Sequence, residues 1–134
     1  MITQRFGMGV LVAATLFCLL TAWVSATAPG TFADRLGLAI ANAGGTNEIR
    51  AQYAGFFAAA ALVCAASLAG ALPRQAAFIL LAAIFGGLIV GRVVSLALNG
   101  GVAGYSPTIL SLYVIDAVGL ALALTALAVD RAPR

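Results

Sequence analysis

Apolar residues run almost unbroken through four stretches of this chain, at residues 6–24, 48–72, 75–98 and 107–129. None alternates polar and apolar positions as a half-buried strand would, and each is close to the ~20 residues a helix needs to cross a hydrocarbon core. A bilayer interior offers backbone amides no water, so spanning segments must be helices or closed barrels. Runs this long, without alternation, fit helices. The pattern predicts an all-α integral membrane protein, one domain over residues 1–134, folded as an antiparallel bundle of four transmembrane helices. Trp23 falls near the end of the first run, at the depth where indole rings sit in membrane interfaces.

The breaks between runs carry their own signals. Pro29-Gly30 interrupts the chain, and TFADRLGLAIA (residues 31–41) places Phe32, Leu36 and Ile40 at i, i+4 and i+8. That spacing predicts a short interfacial helix between spans one and two, with Asp34 and Arg35 kept in water. Gly44-Gly45 should end this piece, and Thr46 or Asn47 should cap the second span. Glu48 would then fall in a first helical turn, where the helix dipole favours a negative charge. The second span is expected to stop at Pro73-Arg74, and Asn99-Gly100-Gly101 with Gly104 to form the next turn. Pro107 suits the first helical position of the fourth. Small residues recur every fourth position in Ala51-Gly55-Ala59 and in Gly87-Gly91, a spacing that allows close helix contact and offers faces for oligomerisation. The first run also has a rival reading. Arg5, a short apolar run and Ala26-Thr27-Ala28 match a secretory leader with an A-x-A site, whose removal would take away residues 1–28 and leave three spans.

Composition narrows the function classes. Of 134 residues, 63% are hydrophobic and 8% charged, against roughly a quarter charged in a soluble domain. Seven basic residues, all Arg, against four acids give +3. They are scattered rather than gathered in a stripe, which excludes nucleic acid as a partner. The absence of His removes the commonest general base and metal ligand. Cys18 and Cys64 each fall near mid-span with no CxxC, so they read as small apolar fillers. No metal and no cofactor is expected, and enzyme activity is the least favoured class. Arg5, Arg74, Arg131 and Arg134 fall on one side of a four-span hairpin. The positive-inside rule then places both termini in the cytoplasm.

Four charges stand against or inside the apolar runs: Glu48, Arg50, Arg92 and Asp116. In the hairpin topology all four belong to the outer half of the bilayer. Arg92 lies ~9 Å and Asp116 ~14 Å from the expected ends of their spans, at the helical rise per residue. A charge at mid-helix costs ~2.5–3.5 kcal/mol on insertion scales, so pairing Arg92 with Asp116 is the economical arrangement. Ser95 and Asn99 follow Arg92 at i+3 and i+7, Tyr113 precedes Asp116 at i−3, and Gln52 and Tyr53 follow Glu48 and Arg50. The stripes are expected to converge in one polar network.

At these residues a resemblance emerges. NEIRAQY, GRVVSLALNG and LYVIDAVGLALAL resemble the bacterial membrane family catalogued as domain of unknown function 4345, and more distantly the DoxX-like four-helix proteins. The resemblance covers nearly the whole chain and is most specific at Asn47-Glu48-Ile49-Arg50, Tyr53, Gly55, Gly91-Arg92 and Ser95. The chain departs from the family pattern in having Ala51 and Ala54 where Gly is usual and Asp116 where Glu is common. The family implies a four-helix inner-membrane protein and no established activity.

Two function classes remain. One is a non-enzymatic protein, either an accessory subunit of a larger membrane complex or a module that binds an apolar, lipid-like or quinone-like molecule among Glu48, Arg50, Gln52, Tyr53, Arg92, Ser95, Asn99, Tyr113 and Asp116. The other is a small transporter or proton-coupled exporter using Asp116 and Glu48. Small exporters built around an acid in the first span are no guide here, since that span is uncharged.

Overall fold

A computed structural model describes residues 2–131. Its helices are α1 (Ile2–Thr27), α2 (Pro29–Arg35), α3 (Ala43–Ile49), a π-helical segment (Arg50–Gly55), α4 (Phe56–Leu68), α5 (Arg74–Asn99) and α6 (Pro107–Arg131). Because α3, the π segment and α4 run on as one rod, four helices are long and apolar enough to cross a membrane. The described residues contain no strand. Arg134, which enters the orientation argument, lies outside the described residues, as does the side chain of Arg131.

The four long helices form a ring in which α1 packs between α4 and α6, and α5 between the same two neighbours. Its two halves differ in density. The lower half, around Leu11, Cys64, Ala77, Phe78, Leu81, Ala123 and Ala126, is closely packed. Gly7 lets the Phe78 ring approach α1, where a Cβ would meet it at 3.2 Å. In the upper half the buried apolar cluster thins to Cys18, Ala22, Phe57, Ala60 and Ala61, mainly along the α1–α4 contact. The space left beside it holds the candidate site.

Several boundaries differ from the sequence reading, each for a local reason. The second span begins at Ala43 rather than at Glu48. Asn42, in extended conformation, caps it by accepting from the Gly45 amide at 3.1 Å. Neither Thr46 nor Asn47 is the cap, Gly44-Gly45 lie inside the first turn, and Glu48 is one turn further on. The rod ends at Leu68 rather than at residue 72. The interfacial helix covers Pro29–Arg35, not residues 31–41. Gly37 closes it in a left-handed conformation (φ 73°), with Gly37 N–H donating to Asp34 O and Leu38 N–H to Ala33 O. This paired pattern satisfies the final carbonyls and stops the helix. The first span extends to Thr27, three residues beyond Val24.

The π segment was not foreseen. The Phe56 amide donates to the Ala51 carbonyl five residues back, so one extra residue is accommodated between Ile49 and Phe57. Both of those point inward.

Candidate functional site

The upper half of the bundle holds a half-open cavity of about 430 Å³. Phe17, Leu20, Thr21 and Val24 descend one wall along α1, Phe85 and Leu88 form a second on α5, and Ile109 and Leu112 a third on α6. From α2 and the turn after it come Phe32, Arg35, Leu36 and Leu38, which roof the space. The roof is fixed. Ala33 is fully buried, and the Phe32 ring meets the Tyr53 ring edge-on with centroids 4.9 Å apart. Arg50 ties the π segment to the end of α1 by donating from Nε to the Ala26 carbonyl at 3.2 Å.

Arg92 and Asp116 are set into the wall. Arg92 donates from Nε to Asp116 Oδ2. Asp116 is 3% exposed, and the carboxylate would be costly there without this partner. The Arg92 guanidinium also lies 5.2 Å from the Tyr113 ring centroid, where the negative face of the ring attracts a cation. Tyr113 in turn donates from its hydroxyl to the Arg92 carbonyl at 3.3 Å. The shorter aspartate therefore does reach the arginine.

Above the pair lies a more polar space of about 590 Å³, shared with Arg92, Tyr53, Leu36, Leu88 and Ile109 of the first cavity. Ser95, Asn99, Tyr105 and Tyr113 line it. Ser95 Oγ and Tyr105 Oη lie 3.0 Å apart, and Asn99 donates to both of them, at 3.3 Å to Ser95 and 3.2 Å to Tyr105. Tyr105 lies in the turn between α5 and α6. Its hydrogen bond with Ser95, then that with Asn99, holds its phenol below the usual range.

Of the residues singled out in the sequence, the fold brings Arg92, Ser95, Asn99, Tyr113 and Asp116 together, and sets Tyr53 on the shared edge of the two spaces. Glu48 and Gln52 are exposed and line neither space, and Arg50 is engaged with α1 instead. The convergence expected of all the polar stripes is thus confined to α5 and α6. Tyr105, and the place of Phe32 and Arg35 on the cavity lining, escaped the sequence reading. Tyr105 sits in a Gly-rich turn without helical register, and Arg35, exposed as its place beside Asp34 predicted, also reaches the lining of the cavity.

The family model described as "Domain of unknown function (DUF4345)" matches residues 8–127. The chain belongs to this family. Within this DUF4345 protein the matched region takes in both cavities, the Arg92–Asp116 contact and the roof. No curated protein and no solved structure matches the chain.

Proposed function

We propose that this protein is a non-enzymatic, multi-pass protein of the bacterial cytoplasmic membrane that holds a lipid-like or quinone-like small molecule in the outer half of its bundle. The observation that carries the reading is the cavity of about 430 Å³, apolar on most of its wall, with the Arg92–Asp116 contact set into it. Small-molecule sites are typically concavities of ~300–1,000 Å³ lined by apolar side chains and a few placed polar groups. Charges in spanning helices are costly and by default suggest a ligand or ion site. The guanidinium has five N–H donors and gives one to Asp116, so it can keep its counter-charge and still bond a ligand.

Catalysis has little support. Asp116 is engaged with Arg92, the sequence has no His, and both thiols are buried. Transport through Asp116 and Glu48 is also disfavoured, because Glu48 lines neither cavity. The arginine bias supports cytoplasmic termini, which would set the cavity in the outer leaflet.

Native mass spectrometry of protein purified in a non-ionic detergent tests the reading. A bound small molecule is expected, and Leu112→Trp, which fills the cavity from α6, should abolish its retention. A bare chain, or one that co-purifies only with a larger assembly, would move the assignment to an accessory subunit.

A further inference from the structure

We infer that the molecule held in this cavity is an amphiphile whose head carries one negative charge, an oxyanion seated between Arg35 and Arg92; this rests on the cavity being a ligand site. The argument is one of charge around a half-open space. The side chains of Arg, Asp and Glu that line the cavity are Arg35, Arg92 and Asp116. Asp116 pairs with Arg92. Among the described residues no carboxylate lies within salt-bridge distance of Arg35. Asp34 and Arg35 are both exposed at the end of α2, but only Arg35 lines the cavity, at its mouth. The wall therefore carries one positive charge in excess, over a space otherwise lined by apolar side chains and the hydroxyl groups of Thr21, Tyr53 and Thr108.

Position agrees with charge. Arg35 enters from the roof, at the end of the bundle, whereas Val24, Thr21, Leu20 and Phe17 lead progressively deeper along α1. A head held at Arg35 would leave an alkyl chain pointing into the apolar interior, the direction a lipid tail takes. Two guanidinium groups suit the paired anionic oxygens of a carboxylate or a phosphodiester, because each presents a fork of donors. An uncharged head would gain no charge-assisted bond from either arginine, and an amine would be repelled. Arg35 also stands in the last turn of α2, where a cation offsets the helix dipole. That role calls for no particular ligand, so the two readings separate by experiment.

The full-length protein in a non-ionic detergent is offered hexadecanoate, hexadecanol or dioleoyl phosphatidylglycerol at equal concentrations, and retention is read by native mass spectrometry. At least one of the two anions should be retained about tenfold better than the alcohol, as expected for a charge-assisted contact. The preferred anion distinguishes a fatty-acid carboxylate from a phospholipid head. R35Q should abolish the preference and R35K should restore most of it, with melting temperatures showing that both variants fold. Equal retention of alcohol and anions by the wild-type chain, or an R35Q protein that keeps the preference, would overturn the charge assignment and leave the cavity reading standing. Retention of none of the three would overturn the cavity reading itself.

Discussion

Asp116 is the most deeply placed charge in the described chain, and its stability depends on one neighbour. Asp116→Asn would strand Arg92, and breaking a buried pair from one side costs ~3–5 kcal/mol in soluble cores. A smaller loss is expected here, because the long arginine side chain can reach toward the polar end of the bundle. The double replacement Arg92→Met with Asp116→Leu removes the desolvation penalty with the pair and should be near neutral. Unfolding in detergent measures both, and a double variant no more stable than Asp116→Asn would refute the coupling. Glycines give a second test. A Cβ at Gly119 would stand 2.7 Å from the Phe85 ring, whereas one at Gly87 meets nothing within 4 Å. Gly119→Ala should lower stability, since overpacking costs ~1–3 kcal/mol against the ~1 kcal/mol that a helical alanine gains. Gly87→Ala should raise the melting temperature. Ser67 offers a simpler case. Its hydroxyl is buried without a hydrogen-bond partner, whereas Thr15, Thr21 and Ser25 each donate to a carbonyl four residues back. Ser67→Ala should therefore not destabilise the bundle, and a clear fall in melting temperature would show that its hydroxyl has a role the geometry does not reveal.

At the scale of elements, α2 roofs the site and the π segment sets Tyr53 at its edge. Phe32 and Leu36 are half-buried beside exposed Asp34. Cysteines at positions 32 and 36 should label with a polar maleimide more slowly than one at position 34, and equal rates would show that the roof lifts away. Deleting Ala54 should convert the π segment to α-helix and rotate everything on its N-terminal side by about 100°, one residue's turn. Helix content should survive by circular dichroism, but the Phe32–Tyr53 contact would be lost and ligand retention should fall. Neither element was fully legible in the sequence. The apolar spacing of Phe32, Leu36 and Ile40 announced a helix, yet Gly37 adopts a left-handed turn that ends it before Ile40. The π segment left no such trace, because inserting one residue into an apolar rod does not disturb composition. It changes only which face each residue occupies.

For the whole molecule, sidedness governs where the cavity lies. Arg5 and Arg74 belong to the end of the bundle opposite α2, and Asp34 and Arg35 to the roof. A cytoplasm-specific reporter fused after Arg134 should be active. Activity of a periplasm-specific reporter there would invert the bundle and bring the cavity to the inner leaflet, without altering its lining. α1 is a structural member of this assembly. It supplies buried Leu11 and Cys18 as well as one cavity wall, so removal of residues 1–28 should abolish both folding and ligand retention, as read by size-exclusion chromatography and native mass spectrometry.

The sequence by itself determined the number of spans, their helical nature and the two charges that most needed partners. Hydrophobic length and the cost of unpaired backbone and side-chain charge in hydrocarbon are local quantities, readable residue by residue. Only the tertiary structure decided which polar groups meet. Ser95 and Asn99 find Tyr105 across a turn, while Glu48 and Gln52, equally prominent in the sequence, face outward. That choice depends on the rotation of each helix about its axis. In an alanine-rich chain, small apolar residues on every face leave that rotation nearly free until neighbouring helices pack. The excess charge at the cavity follows from the same cause: Arg35 and Arg92 line one space only because α2 folds back over the open half of the bundle.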